Sequence, residues 1–405
     1  MMNIIKGGVC SAKGFTANGV HCGIRKNRDK KDLALIYSAV PAKAAAVYTT
    51  NLVKGAPLAV TKAHIADGIA QAVICNSGNA NTCNANGIEI AEQMSDLTAS
   101  ALGISASDIV VASTGVIGEP LEIEPIAAGI PELVRGLSRD GGVDAAEAIM
   151  TTDTISKEVA VEFEIGGKIC TLGGIAKGSG MIHPNMATML VFLTSDVAIS
   201  SEMLQKALST DITNTFNMLS IDGDTSTNDT VVLLANGLAE NPVIEYGTED
   251  YKVFAEALHV INEYLAKKIA GDGEGCTALF EVQAVGCESV AQAKTLAKSI
   301  VCSNLTKTAI AGHDANWGRI LCAMGYSGAQ FDPEKVDLFF ESAAGKIQII
   351  ENGTAVDYSE EEATKILSEK EVKAIADVKM GEFEATAWGC DLTHGYIEIN
   401  ADYRS

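Results

Sequence analysis

The 405-residue chain sets 30 Lys and Arg against 52 Asp and Glu, a formal charge of −22, with 47% hydrophobic and 20% charged residues. Such a balance repels phosphate backbones and anionic lipid surfaces, so nucleic-acid and membrane partners are not expected. The composition excludes disordered, collagen-like and coiled-coil classes, and the length allows two or three domains on a prior of about 150 residues each.

The longest apolar runs, MLVFL (189–193) and TVVLLA (230–235), fall far short of the roughly 18 residues a spanning helix needs. The opening MMNIIKGGVC has no apolar segment followed by a small-residue cleavage site, which predicts a cytoplasmic protein. Ten cysteines are scattered with no C-x-x-C pair. They read as reduced core thiols rather than a zinc ribbon, a thioredoxin-like site or a disulfide framework.

In chain order, IAQAVIC (69–75) predicts a buried strand, the loop NSGNANTCNANG (76–87) follows, and a helix is expected over roughly 89–102. KEVAVEFEI (157–165) alternates polar and apolar, Gly166-Gly167 supplies a two-residue turn and KICTLGGIA returns, a hairpin that delivers the chain to KGSGMIHPNMAT. A short apolar strand follows Thr188. A helix is then expected from about 201 to 217, with Ser200 as its N-cap.

In 249–270, Phe254, Leu258, Ile261, Leu265 and Ile269 recur at spacings of three and four, Thr248 opens the helix and Gly271 closes it. The loop GDGEGCT (271–277) leads into the strand-like ALFEVQAV. Further on, a helix is expected at 289–302, strands at 336–341 and 346–350 around Ala344-Gly345, a helix at 359–372, and a terminal strand in GYIEINADYRS. No repeat of 20–50 residues and no low-complexity linker appears. The class is α/β, in the mixed α+β sense of sheets layered with helices, without a clean domain boundary.

Several chemistries lack their patterns. There is no Rossmann or P-loop glycine motif, no H-E-x-x-H, and no G-x-S-x-G elbow. DGDTSTND (222–229) has a calcium loop's acidity without its sixth-position glycine or twelfth-position glutamate. His183 is either a base or, being followed by proline in a turn, a structural residue.

Ala187-Thr188 stands where a polar, glycine-rich approach becomes an apolar strand. Thr188 has two readings. One is an ordinary β-branched strand opener. In the other the hydroxyl attacks the preceding carbonyl, hydrolysis of the ester frees a new N-terminus, and one residue then carries both nucleophile and base. An α-amino group titrates at roughly 7.7–8.0, so a useful fraction is neutral near physiological pH. STGVIG (113–118), after DIVVA, is either a plain turn or a pair of donors for an oxyanion. MTTDT (150–154), Lys177 and Glu274 are, taken singly, a cap-like cluster and two loop charges.

Taken together, KGFTANGVHCGI (13–24), VICNSGNANTCNANG (73–87), STGVIGEPL (113–121), AIMTTDT (148–154), GIAKGSGMIHPNMATMLVFLTSD (174–196), SIDGDTSTNDT (220–230), GDGEGCT (271–277), GHDANWGRI (312–320) and YIEINADYRS (396–405) change the reading. The chain resembles the ornithine acetyltransferase (ArgJ-like) family of arginine biosynthesis over almost its whole length. The resemblance implies a self-processing fold of the DmpA/ArgJ type, similar to but distinct from N-terminal-nucleophile hydrolases. It implies cleavage between Ala187 and Thr188 into an α chain, 1–187, and a β chain, 188–405, that interleave as one unit, and a heterotetramer of two α and two β chains.

By the same resemblance Thr188 is the nucleophile and Thr114 with Gly115 the oxyanion pair. Substrate contacts fall on Thr151, Lys177, Thr188, Glu274, Asn400 and Ser405, with Thr151 against Thr152 left open. Ser405 stands where relatives often have threonine, which keeps the hydroxyl. The implied reaction moves acetyl from N2-acetylornithine to glutamate through an acetyl-threonine. No metal or organic cofactor is implied, and whether acetyl-CoA also serves as co-substrate stays open. Two other classes remain at this point: an N-terminal-nucleophile amidohydrolase or aminopeptidase that sends the acyl group to water, and a non-enzymatic protein that kept the fold.

Overall fold

The computed structural model describes residues 2–183 and 189–401. Ala187, Thr188 and Ser405 lie outside them.

Among the described residues two sheets form, one of nine strands and one of seven. The central part of the larger sheet runs Lys157–Ile165, Lys168–Lys177, Leu190–Ser195, Thr230–Ala235, Leu33–Tyr48, Ile69–Asn76 and Ile109–Ser113. The expected hairpin is present, with Ile165 paired to Lys168 across the two glycines, both at positive φ. Leu190–Ser195 lies antiparallel to the hairpin's return strand and parallel to Thr230–Ala235. Both of these inner strands are buried on every residue. That explains their unbroken apolar runs: a strand covered on both faces has no reason to alternate.

The helix Glu249–Ala270 lies between this sheet and the other. Thr248 accepts a hydrogen bond from the Tyr251 N–H, and Phe254, Leu258, Ile261, Leu265 and Ile269 are all fully buried. Phe254 meets Phe163 of the hairpin with ring centroids 6.2 Å apart. Side chains of this size contribute about 1.5–3 kcal/mol each on full burial, so the stripe ties helix to sheet. The smaller sheet, built around Leu279–Cys287 between Glu371–Asp377 and Phe383–Cys390, packs against the helix's far side within one continuous core.

Three expectations are corrected. The helix after Ser200 ends at Ile212 instead of running to 217. Thr213 and Thr215 turn their hydroxyls back onto the carbonyls of Thr210 and Asp211, the local competition that makes such residues helix stoppers. The helix expected over 359–372 spans Glu360–Leu367, and Glu371–Asp377 is an inner strand of the smaller sheet. The charge gradient ran past the helix end, whereas Val372, Ala374 and Ala376 already alternate into the core.

Finally, the expected terminal strand begins with a helix, His394–Asn400, opened by Thr393 accepting the Gly395 N–H. An alternating pattern makes a strand only where an edge is free to pair. Both edges of Phe383–Cys390 are taken, by Leu279–Cys287 and Leu219–Ser220.

Candidate active site

The hairpin does more than join strands. Its return strand ends on Lys177, in register with Leu190, the first residue of the next strand. Its first residue, Lys157, is fully buried and donates to Asp153 at 2.7 Å and to Asp272 at 2.5 Å. Asp272 also accepts from the Thr154 N–H and hydroxyl, and its carbonyl accepts from the Ser179 hydroxyl at 2.6 Å. This buried knot fixes the segment 151–157 and the loop 271–277 against the hairpin. Burial alone would raise the Asp153 carboxyl, but Lys157 and Lys177 with the Gly178 N–H outweigh it and hold the group below the usual carboxylate range.

In front of the knot is a cavity of about 120 Å³. Thr114, Gly115, Thr151, Thr152, Lys177, Glu274 and Asn400 line it, together with Met189 and the run Ser226–Asp229. Thus every predicted site residue that the structure describes reaches one cavity, although the chain places them between positions 114 and 400. Both members of the Thr151/Thr152 pair are there, and the structure does not separate them. Ala187, Thr188 and Ser405 lie outside the described residues; Met189, the residue after Thr188, is on the wall.

Gly115 has φ +130°, and a Cβ there would stand 2.7 Å from the Asn79 N and the Gly78 carbonyl carbon. Only glycine tolerates both constraints. Neither the Gly115 N–H nor the Thr114 hydroxyl makes a hydrogen bond among the described residues, so both stay available as donors. Gly180 has a similar role. A Cβ on it would meet the Glu274 carboxylate at 2.3 Å, and its absence lets Glu274 sit at the cavity, where the carboxylate accepts the Asn400 amide at 2.7 Å.

Lys177 is 8% exposed and, among the described residues, has no hydrogen bond or ion pair. Burial lowers its pKa, with Asp153 and Asp229 opposing the shift. Unlike Lys157, it presents an unsatisfied ammonium to the cavity. His183 is not on the wall. Its Nδ1 lies 3.1 Å from the Ser220 hydroxyl, and burial with Lys298 nearby pushes it down to about 4, which fits the structural reading of this histidine.

The acidic run weighed as a calcium loop acts as a brace. The Asp222 carboxylate accepts the N–H groups of Met181 and Ile182, at 2.5 and 2.9 Å, and the Tyr396 hydroxyl at 3.3 Å. Sequence reasoning missed Lys157, Asp153, Asp272 and Asn228. The Asn228 amide donates to the carbonyls of Ala80 and Ser113, so it joins the 226–229 run to the loop that opens with Thr114. Asp153 lay within the quoted MTTDT and pairs with Lys157 only four residues on, but nothing local marks Asp272, which shares that lysine from 115 residues away.

Fold and cavity together define a class: a mixed α/β protein with a small cavity lined by a buried lysine, two acids and several hydroxyls. The model of the ArgJ family matches residues 16–405. Over 405 residues, all of both chains, the sequence is 50% identical to the arginine biosynthesis bifunctional protein ArgJ of Caldanaerobacter subterraneus subsp. tengcongensis, and over 406 it is 51% identical to that of Symbiobacterium thermophilum, again covering all of both. A solved ArgJ chain from Bacillus halodurans aligns at a TM-score of 0.50 and 45% identity, covering 52% of this chain and 97% of its own. The chain belongs to the ArgJ family.

Proposed function

We propose that this protein is a glutamate N-acetyltransferase of arginine biosynthesis, acting on N2-acetylornithine after cleaving itself between Ala187 and Thr188. The observation that carries the reading is the convergence of Thr114, Gly115, Thr151, Lys177, Glu274 and Asn400 on one cavity beside Met189. Full-length identity near one half to proteins named for arginine biosynthesis supports it.

In this reading the Thr188 hydroxyl attacks the Ala187 carbonyl and the C–N bond breaks, leaving a free threonine amine and an ester on the hydroxyl; water then hydrolyses that ester, freeing the hydroxyl and the Ala187 carboxylate. That amine, neutral in part near pH 8, takes the hydroxyl proton as Thr188 attacks the acetyl carbonyl of N-acetylornithine. The Thr114 hydroxyl and Gly115 N–H stabilise the oxyanion, ornithine leaves with the proton, and the glutamate amine then attacks the acetyl ester. No resident metal or organic cofactor takes part. Lys177, with no ion-pair partner among the described residues, pairs with the substrate α-carboxylate; Glu274, oriented by Asn400, faces an amino group. Ser405 completes the substrate contacts.

The cleaved chains, 1–187 and 188–405, remain together. Support for this comes from Leu190–Ser195 and Thr230–Ala235 lying inside the larger sheet between Lys168–Lys177 and Leu33–Tyr48. The solved relative, matched over 97% of its length by 52% of this chain, has the length of one processed chain. Two such αβ units form a heterotetramer in the cytoplasm. The relatives are named as bifunctional proteins, which supports acetyl-CoA as a second acetyl donor.

The test is to incubate the enzyme with N-acetylornithine, with and without glutamate. N-acetylglutamate formed in step with ornithine supports the transferase; acetate released at the same rate without glutamate contradicts it and makes the protein a hydrolase.

A further inference from the structure

One group on the cavity wall has no part in this mechanism. Asp229 lines the cavity, is 2% exposed, and its Oδ2 is buried without a hydrogen-bond partner among the described residues. A carboxylate left this way is costly unless an ion pair or several donors compensate it. Lys177 is close enough to favour the charged form, as are the hydroxyls of Ser226 and Thr49, yet burial dominates and pushes the carboxyl well above its ordinary range. The neighbouring charges are already committed. Lys157 belongs to Asp153 and Asp272, and Arg25 donates to the carbonyls of Ser77 and Met150. Glu274, the other acid on the wall, is held by Asn400. What remains on the wall, among the described residues, is the Lys177 ammonium without a hydrogen-bond partner and the Asp229 carboxyl, whose bare oxygen donates when it carries the proton that burial favours.

The backbone fixes where that acid stands. The Thr230 N–H donates to the Met189 carbonyl at 2.9 Å, and Thr230 pairs with Leu190 in the parallel ladder. Asp229 therefore sits beside Met189 at the start of the neighbouring strand, while Lys177 stands opposite Leu190 on the other side. A ligand that satisfies both donors is a carboxylate. An O–H donating to a carboxylate oxygen is among the shorter and stronger hydrogen bonds, and burial is what favours the protonated form of such an acid.

We propose that Asp229 is a further specificity-determining residue of this site, donating as the neutral acid to the α-carboxylate of the amino-acid substrate alongside the Lys177 ammonium. The inference rests on the assignment of Lys177 to that carboxylate and adds the group that tells a carboxylate from an uncharged amide.

The experiment compares ornithine with ornithinamide by titration calorimetry on the processed enzyme, since neither can acylate it. Wild type prefers ornithine. Asp229→Ala reduces that preference by about tenfold, the scale of one hydrogen bond to a charged group, while Asp229→Asn, which keeps a donor, stays within about threefold of wild type. An undiminished preference in Asp229→Ala overturns the proposal. So does tighter ornithine binding in Asp229→Asn, the result expected of a carboxylate that neutralises Lys177. A wild type without any preference overturns the Lys177 assignment itself and this inference with it.

If Asp229→Ala fails to fold, the pH dependence decides. In wild type, ornithine affinity falls as the pH climbs through the raised Asp229 value, and Asp229→Asn lacks that limb. The same limb in both proteins overturns the proposal.

Discussion

Two buried lysines on one hairpin have opposite fates. Lys157 is enclosed by Asp153 and Asp272, with Thr154 and Ser179 closing the network behind it. Lys177, on the return strand, reaches the cavity with no partner among the described residues. The first arrangement satisfies every charge and so serves as scaffold, since a buried ion pair resists the loss of either member. The second leaves a charge uncompensated in a site of low dielectric, where a ligand of opposite sign gains the most. Burial alone does not separate structure from function here. Satisfaction does.

The comparison can be broken from the cavity side first. Thr114→Val removes one donor from the proposed oxyanion pair and is expected to lower kcat about 100-fold with KM little changed; steady-state kinetics check it, and an equal rise in KM would move Thr114 to ground-state binding. Next is the scaffold. Lys157→Met leaves two buried carboxylates unpaired and is expected to cost about 3–5 kcal/mol in urea unfolding.

That loss has a pH signature. The Asp153 pKa is held below its unfolded value of about 3.9, so its contribution is fully present above that pH and is lost as the pH falls through the lower folded value. The stability gap between wild type and Lys157→Met should be constant above about pH 4 and shrink below it. The smallest stability effect is expected at the other lysine. Lys177→Met should leave the melting temperature unchanged or raised while KM for N-acetylornithine rises about 10- to 100-fold. Loss of stability comparable to Lys157→Met would erase the contrast between the two.

How much of this could be read from the chain follows from the range of the interactions. The hairpin and the helix Glu249–Ala270 were legible because their signals are local: alternation with a glycine turn, and a stripe at spacings of three and four between a threonine cap and a glycine. The strand Glu371–Asp377 and the helix His394–Asn400 were not, because each depends on which sheet edge is free. Thr114, Gly115, Thr151, Lys177, Glu274 and Asn400 were recognisable through resemblance alone, since singly each is an ordinary turn residue or loop charge.

Lys157 and Asp229 were missed for a different reason. Lys157 reads as the polar half of an alternating strand, and Asp229 as one more acid in DGDTSTNDT. Their significance comes from burial and from partners that local patterning does not encode.

The most direct test of the whole account is the mass of the purified chain under denaturing conditions, wild type beside Thr188→Ala. The account predicts two fragments from wild type, divided between residues 187 and 188, and a single chain of 42.3 kDa from the variant. An intact wild-type chain that still transfers acetyl groups, or a Thr188→Ala chain that still matures into the same two fragments, would contradict it.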